Sequence, residues 1–379
     1  MSRMIVLGAG IVGRAAAWDL ARRGHEVLVA DADSGAAAAV GTEFGVAHTA
    51  VDAGDGLALT GLFEGSSVVV SAVPYGYGKV AAAAAVTAGC HYLDFGGNPA
   101  VVAEQVLLDG PAREAGVAIV PDCGLAPGFA NVLAVGAVEA LGPGPVESVH
   151  LRVGGLPVDP QGSLQYQLAF SPGGLINEYA EPCEVLRHGR YAVREPLTGF
   201  EEVEWPGWGP LEAFHTAGGS SSLARMYQGR VTHLDYKTLR YPGHGRIFKA
   251  MAELGLFEDD DAAGAGASPR AVLLAALADH LPRGGADIVL VRCWAAADRE
   301  GERAVAGYQV EDRHDGRFSA MARTTAWPAT ALAHLLATGG LETAGAATMD
   351  ATVEAALLLP ELDGTGIIVE EWAPPPARS

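Results

Sequence analysis

The sequence predicts an α/β protein of two domains, and three observations carry that reading. Short apolar runs alternate with alanine-rich helical stretches up to residue 126; glycines cluster at the first strand-to-helix junction; beyond Pro127 the pattern changes to strands separated by long loops. Alternating strands and helices build a parallel sheet with helices on its faces, whereas strands with only occasional helices build an α+β layer. At 379 residues the chain has room for two cores of ordinary size.

The first apolar run, Met4 to Leu7, reads as a buried strand. Gly8, Gly10 and Gly13 follow in G-x-G-x-x-G spacing, then an alanine-rich helical stretch that Gly24 ends, then a second strand closing at Asp31. Gly8 permits the tight turn, Gly10 lets backbone amides approach a pyrophosphate, and Gly13 lets helix and strand pack closely. The helix start, at Ile11 and Val12, presents unpaired N–H donors and the positive end of the helix dipole to phosphates. Asp31, at the end of the second strand, can accept both ribose hydroxyls. Together these define a Rossmann dinucleotide-binding unit. A 2′-phosphate would face the Asp31 carboxylate, and the following "ADSG" offers no Arg or Lys to offset the repulsion, so NAD is favoured over NADP.

The alternation continues through a strand over Ser66 to Pro74, the helix-like "YGKVAAAAAVTAG", a strand "HYLDFGG" and another in "GVAIVPDCGLAPG". In an open parallel sheet the ligand crevice lies beyond the carboxyl ends of the strands. That puts Ser71, Val73 and Pro74 beside the cofactor, with Tyr75, Asp94, Asp122 and Cys123 as catalytic candidates on the same rim.

A helix through "FANVLAVGAVEAL" follows the junction near Pro127. The dinucleotide-binding domain is therefore drawn as residues 1–126, and residues 127–336 form an α+β substrate and oligomerisation domain with a mostly antiparallel sheet. Its strands are "VESVHLRVGGL", "CEVLRHGRYAV", "EEVEWPG", "VTHLDYKTLRY", "DIVLVRCWAA" and "AVAGYQV", interrupted by helices at 245–254 and 327–336. "EDDDAAGAGAS" is a solvated acidic loop, and residues 337–379, ending in "GIIVEEW", are expected to return to the first domain.

Charge and composition exclude several classes. With 25 Lys+Arg against 45 Asp+Glu the formal charge is −20, which argues against nucleic acid or an anionic membrane as partner. Apolar stretches are short or alanine-dominated, so no membrane span is expected. The strand pattern begins at once and leaves no room for a signal peptide, which makes the cytoplasm the expected location. Four scattered cysteines without ligand spacing read as reduced thiols, and no metal site is expected.

The long motifs "GAGIVG" with Asp31, "SAVPYGYG", "PDCGLAPGFANVLA", "FSPGGLINEY", "HTAGGSSSL", "YKTLRYPGH" and "ARTTAWP" give the chain a resemblance that spans nearly its whole length. It resembles the saccharopine dehydrogenase-like reductases, and within them the lysine 6-dehydrogenase branch. The resemblance implies NAD-dependent oxidation of the ε-carbon of L-lysine to allysine, which cyclises to piperideine-6-carboxylate, with release of ammonia. It also implies a homodimer or homotetramer, and a substrate contact at Asn177 within "FSPGGLINEY".

The residues themselves point to an amino-acid site. On a strand "VTHLDYKTLRY", Tyr236, Thr238 and Arg240 share one face, and His233, Asp235, Lys237 and Tyr241 the other. Pro242 and Gly243 then turn the chain into a helix starting near His244. A strand-end guanidinium beside a helix N-terminus makes a carboxylate clamp, so Arg240 with Tyr241 and His244 forms the expected substrate site. Lys237, Arg246 and Lys249 read as solvated. Hydride transfer needs a neutral amine, and lysine's titrates near ~10.4. Asp122, Cys123, Asp94, Tyr75 and His244 are the candidate partners, with Asp122 better suited to holding the amine than to deprotonating it. Two alternatives stand beside this one. An opine-type dehydrogenase, acting on a secondary amine such as saccharopine or a carboxylated polyamine, needs a second carboxylate clamp, for which Arg152, Arg187, Arg225 or Arg246 could serve. A catalytically silent NAD-binding sensor needs neither Arg240 nor the acids.

Overall fold

The computed structural model describes residues 2–260 and 266–375, and the acidic loop expected at 258–268 therefore lies partly outside the described residues. Contacts divide the chain into two units: residues 1–136 with 322–368, and residues 137–321 with 369–379.

In the first unit the strands are β1 (Arg3–Leu7), β2 (Glu26–Asp31), β3 (Ala47–Ala50), β4 (Val68–Ser71), β5 (His91–Asp94) and β6 (Ala118–Val120). Central strands β1 and β4 are apolar and almost wholly buried because helices cover both faces of a parallel sheet. Their order runs β3-β2-β1-β4-β5-β6, every neighbouring pair being parallel. The direction of strand succession reverses between β1 and β4, which opens a crevice beyond their carboxyl ends. The helices start where short polar side chains cap them. Asp33 accepts from Gly35 and Ala36, Asp55 from Leu57 and Ala58, and Asn98 from Ala100 and Val101. Asn98 is thus a capping residue. The core beneath is Ile5, Leu7, Leu59, Phe63, Val69, Tyr92 and Ile119 with several alanines.

The second unit carries β7 (Val146–Pro157), β8 (Cys183–Arg187), β9 (Arg190–Arg194), β10 (Glu201–Trp205), β11 (Gly209–His215), β12 (Val231–Arg240), β13 (Asp287–Arg299) and β14 (Glu302–Arg313). The sheet follows β10-β11-β12-β7-β13-β14, with the β8–β9 hairpin attached to β12. All pairs are antiparallel except β12 with β7. Helices Pro172–Ala180, His244–Glu253 and Pro269–His280 supply a second core with Tyr166, Tyr179, Phe214 and Phe248.

Two late strands join different sheets. β15 (Gly345–Ala346) extends the first sheet beside β6, whereas β16 (Val369–Glu371) pairs antiparallel with β14 in the second unit. The "GIIVEEW" segment is therefore split, Gly366–Ile368 lying with the first unit and Val369–Trp372 with the second. β14 would otherwise be an edge with a row of unpaired amides and carbonyls, and β16 covers it. By internal contacts the first two divisions fall at 136/137 and 321/322. Both lie inside helices, Phe129–Ala140 and Ala320–Thr338, so no loop marks them in the sequence. No described helix is long and apolar enough to cross a membrane.

Candidate functional site

The glycine loop after β1 shows three different constraints. Gly8 has φ +106°, and a Cβ there would lie 2.8 Å from the Ala72 carbonyl oxygen. A Cβ on Gly13 would fall 1.9 Å from the Gly8 carbonyl oxygen, so helix and strand meet backbone to backbone. A Cβ on Gly10 would meet nothing within 4 Å. Its lack of a side chain serves no internal contact, as expected where a phosphate comes to rest against the backbone. Gly10 caps the helix Ile11–Arg22 without any side-chain hydrogen bond, and Ile11 is 66% exposed. The first amides of that helix thus have no capping side chain. Asp31 ends β2, with its carboxylate accepting from Ala9 N–H at 2.6 Å and Asp33 N–H at 2.9 Å. These features fit a dinucleotide.

Beyond the strand ends lies a cavity of about 120 Å³, lined among others by Val12, Ser71, Val73, Tyr75, Asp94 and Gly96. Ser71 and Asp94 meet there because β4 and β5 pair with those two residues in register. Pro74 leads into the short turn Tyr75–Tyr77 at the rim, where Tyr75 is 43% exposed. Asp94 is buried, which raises its carboxyl above the ordinary range. Its oxygens accept from Gln105 Nε2 at 2.5 Å, Tyr92 Oη at 3.1 Å and Gly96 N–H at 2.9 Å. Asp94 therefore braces the cavity floor. Asp122 stands after β6 with φ +59°, and its Oδ1 occupies the position a Cβ on Gly96 would need, 1.9 Å away. Glycine at 96 is what lets the two strand ends close up.

Cys123 does not belong in this group. It is 0% exposed, its thiol turns to the Val120 carbonyl at 3.2 Å, and burial holds the thiol well above its ordinary pKa. A neutral, enclosed thiol neither attacks nor takes a proton.

In the second unit the end of β12 builds a buried polar chain. Arg240, 4% exposed, donates from Nε to Tyr179 Oη at 3.0 Å and from Nη1 to the Leu239 carbonyl at 2.9 Å. Its guanidinium lies 5.1 Å from the centre of the Tyr166 ring. His244 Nδ1 is 2.8 Å from the Leu164 carbonyl, which only accepts, so the proton sits on Nδ1. Nε2 then accepts from Tyr179 Oη at 2.9 Å. Burial first, and the Arg240 charge second, push the imidazole down to about 3. His244 is a neutral prop that aims Tyr179 at Arg240, rather than a substrate cation. Among the described residues no carboxylate lies within 4.0 Å of the Arg240 guanidinium, and the buried Tyr166 hydroxyl has no partner.

Several expected substrate contacts lie elsewhere. Tyr241 packs in a cluster with Leu156, Trp205 and Leu211, and its hydroxyl donates to the Pro157 carbonyl at 2.8 Å. Asn177 accepts from Arg270 through its Oδ1. The N-terminus of helix His244–Glu253 is taken by Glu212, whose carboxylate accepts from Gly243 N–H at 3.0 Å and Gly245 N–H at 2.6 Å. The clamp is thus the guanidinium without the helix amides. Lys237 is not solvated but buried, paired with Glu201 at 2.6 Å. The residues that sequence reasoning missed are Tyr166 and Tyr179. Tyr179 lies in a motif already singled out, and the apolar spacing Leu175, Ile176, Tyr179 was the available signal for which helix face turns inward.

A reversing all-parallel sheet with a glycine loop, and a second unit holding a buried arginine without a carboxylate partner among the described residues, define a two-domain dinucleotide-binding protein. Two family models match it: the saccharopine dehydrogenase NADP binding domain over residues 4–120 and the saccharopine dehydrogenase C-terminal domain over residues 124–367. The chain belongs to the saccharopine dehydrogenase family. It is similar to saccharopine dehydrogenase [NADP(+), L-glutamate-forming] of Pyricularia oryzae, 23% identical over 68% of this chain and 58% of that protein. It also resembles the mitochondrial alpha-aminoadipic semialdehyde synthase of Rattus norvegicus, 26% identical over 52% of this chain and 22% of that protein. The matches thus span little more than half of the first relative and about a fifth of the second. In fold it is similar to the apo saccharopine dehydrogenase (L-Glu forming) of Saccharomyces cerevisiae, with a TM-score of 0.80, 18% identity, and 98% and 99% of the two chains covered.

Proposed function

We propose that this chain is an NAD-dependent amino-acid dehydrogenase that oxidises the ε-carbon of L-lysine to allysine, which cyclises to piperideine-6-carboxylate. In balance, lysine in its ammonium form and water give allysine, ammonium, a proton and a hydride, and bound NAD supplies the hydride acceptor. The observation that carries the reading is Arg240, a buried cation with no carboxylate within 4.0 Å among the described residues. A charge in that setting is costly unless a ligand pairs with it, and a substrate carboxylate fits the planar fork. Asp122 is assigned to the ε-ammonium and then the iminium, and Tyr75 remains a catalytic candidate.

NAD rather than NADP is supported by Asp31 and Asp33, two carboxylates where a 2′-phosphate would sit, although the matching family model bears an NADP-binding name. An opine-type reaction on saccharopine is the second reading, favoured by the fungal relative's own activity. It needs a second free arginine. Arg152 is paired with Glu201 and Asp235, and Arg225 with Glu184, which leaves only Arg187 and Arg246 of the four.

Both points are tested by an amino-acid panel that includes saccharopine, with NAD or NADP, read as absorbance of the reduced cofactor. Lysine with NAD should be best, and NAD should exceed NADP by about tenfold, the ratio that one unfavourable contact of about 1.4 kcal/mol gives. Turnover of saccharopine but not lysine overturns the substrate, and equal efficiency with NADP overturns the cofactor.

A further inference from the structure

Tyr166 breaks the pattern of its neighbours. It is 2% exposed in the core of the second unit, and its hydroxyl is buried with no hydrogen-bond partner among the described residues. Other buried tyrosines spend theirs, Tyr92 on Asp94, Tyr179 on His244 and Tyr241 on the Pro157 carbonyl. An orphaned buried hydroxyl gives up its bonds to water and gains none in return, so it destabilises the chain that carries it. Nor is the residue loose. Gln165 donates to the Pro242 carbonyl at 3.2 Å, Gln167 to the Gly285 carbonyl at 3.2 Å, and Leu168 N–H to the Pro282 carbonyl at 2.9 Å. The Leu164 carbonyl accepts from His244, and Gln165 holds φ +48°, a left-handed conformation uncommon outside glycine. Backbone fixed on both sides holds the Tyr166 ring 5.1 Å from the Arg240 guanidinium carbon. Its centre lies 5.2 Å from that of the His244 ring.

Arg240 carries a matching surplus. Its Nε and Nη1 are spent on Tyr179 and Leu239, and Nη2 makes no hydrogen bond among the described residues. One charged and one neutral donor are therefore left over in the same cluster. A carboxylate brings two acceptor oxygens. We propose that the Tyr166 hydroxyl is the second donor of the α-carboxylate site, taking one carboxylate oxygen while Arg240 Nη2 takes the other. The inference rests on the amino-acid reading and adds to it a specificity residue. Burial, opposed by Arg240, lifts the phenol to about 12, so the hydroxyl keeps the proton it donates. The pair discriminates against a carboxamide, which offers one oxygen and an NH2 group, so that one of the two donors would face another donor.

The test is Tyr166→Phe, which keeps the ring against Arg240 and His244 and removes only the hydroxyl. Wild type should favour L-lysine over L-lysinamide, and the Phe variant should lose about tenfold or more of that preference, through KM. Calorimetry of L-norleucine against L-norleucinamide, with NAD present, reads the same loss without turnover. Stability should move the other way. Ligand-free Tyr166→Phe should melt about 2 °C or more above wild type, because an orphan is removed. Tyr179→Phe, in the same core, strips a partner from both Arg240 and His244 and should melt below wild type. That contrast separates a waiting donor from a structural one. Unchanged lysine preference and norleucine binding in Tyr166→Phe, or a Tm below wild type, overturns the inference alone. A wild type that oxidises no α-amino acid overturns the proposed function. Norleucine affinity that still falls in Tyr166→Phe then keeps Tyr166 as a carboxylate donor, and affinity that does not fall removes both.

Discussion

Gly10 and Gly13 lie three residues apart in one motif, yet the structure assigns them opposite consequences. In Gly13→Ala the new Cβ would sit 1.9 Å from the Gly8 carbonyl oxygen, 2.9 Å from its carbon and 3.3 Å from Ala72 Cβ. Real Cβ contacts essentially never fall below 3.0 Å, so the helix must draw back from the strand by about 1.1 Å against backbone on both sides. Overpacking costs about 1–3 kcal/mol, and with no flexible side chain to yield, the upper end applies. At roughly 2–4 °C per kcal/mol for a domain of this size, Tm should drop by about 6–12 °C. Gly10 has φ −71° and open space around its Cβ position, so an L-residue fits without strain. Gly10→Val should therefore keep the wild-type Tm within about 2 °C while weakening NAD by at least tenfold, or about 1.4 kcal/mol. Scanning fluorimetry reads the first quantity and an NAD titration the second. If Gly13→Ala melts like wild type, or if folded Gly10→Val binds NAD normally, the loop does not hold the pyrophosphate in this way.

Two further predictions concern the Arg240 cluster. Arg240→Ala should raise the KM for lysine by ten- to a hundredfold, erase most of the preference over cadaverine and leave NAD binding intact, and Arg240→Lys should rescue only part. Wild-type kinetics in the Ala variant would make Arg240 structural. The second is a pH dependence of stability. Folding holds His244 at about 3 against an ordinary value of 6.5, so on acidification the unfolded chain takes up a proton that the folded one refuses. The stability from this group is full above about pH 6.5 and is lost as pH falls towards 3, reaching about 2 kcal/mol of loss by pH 5 at 1.36 kcal/mol per unit. Urea titrations of wild type and His244→Gln at pH 7 and 5 should differ by that amount, and parallel curves would refute it.

What was legible in the sequence was what local spacing encodes. The glycine loop, Asp31, and the meeting of Ser71 with Asp94 follow from strand ends and turns whose chemistry is fixed within a few residues. Alternation along β12 likewise put Arg240 and Tyr241 on opposite faces, and the structure sends Tyr241 into a different cluster accordingly. The rest depended on partners far along the chain. Glu212, on the neighbouring strand, claims the amides of Gly243 and Gly245, and Arg270 claims Asn177. Glu201 neutralises Lys237. No periodicity announces such meetings. Cys123 was grouped with the rim because it follows a strand end, but the chain leaves strand geometry at Asp122, with φ +59°, and the thiol turns to the Val120 carbonyl. β3 is short, mostly exposed and weakly apolar, so nothing in its composition set it apart from a loop.

The bond from Ala9 N–H to Asp31 has a consequence for anyone who would change the cofactor. The carboxylate that would repel a 2′-phosphate is also the strut that pins the glycine loop to the end of β2. Replacing Asp31 with a small neutral residue to admit the phosphate would release two backbone amides at once and let the turn drift from the shape the diphosphate requires. On the proposed preference for NAD, cofactor choice and loop rigidity are wired to one side chain. A variant redesigned for NADP would have to supply a new acceptor for Ala9 before it supplied a cation for the phosphate.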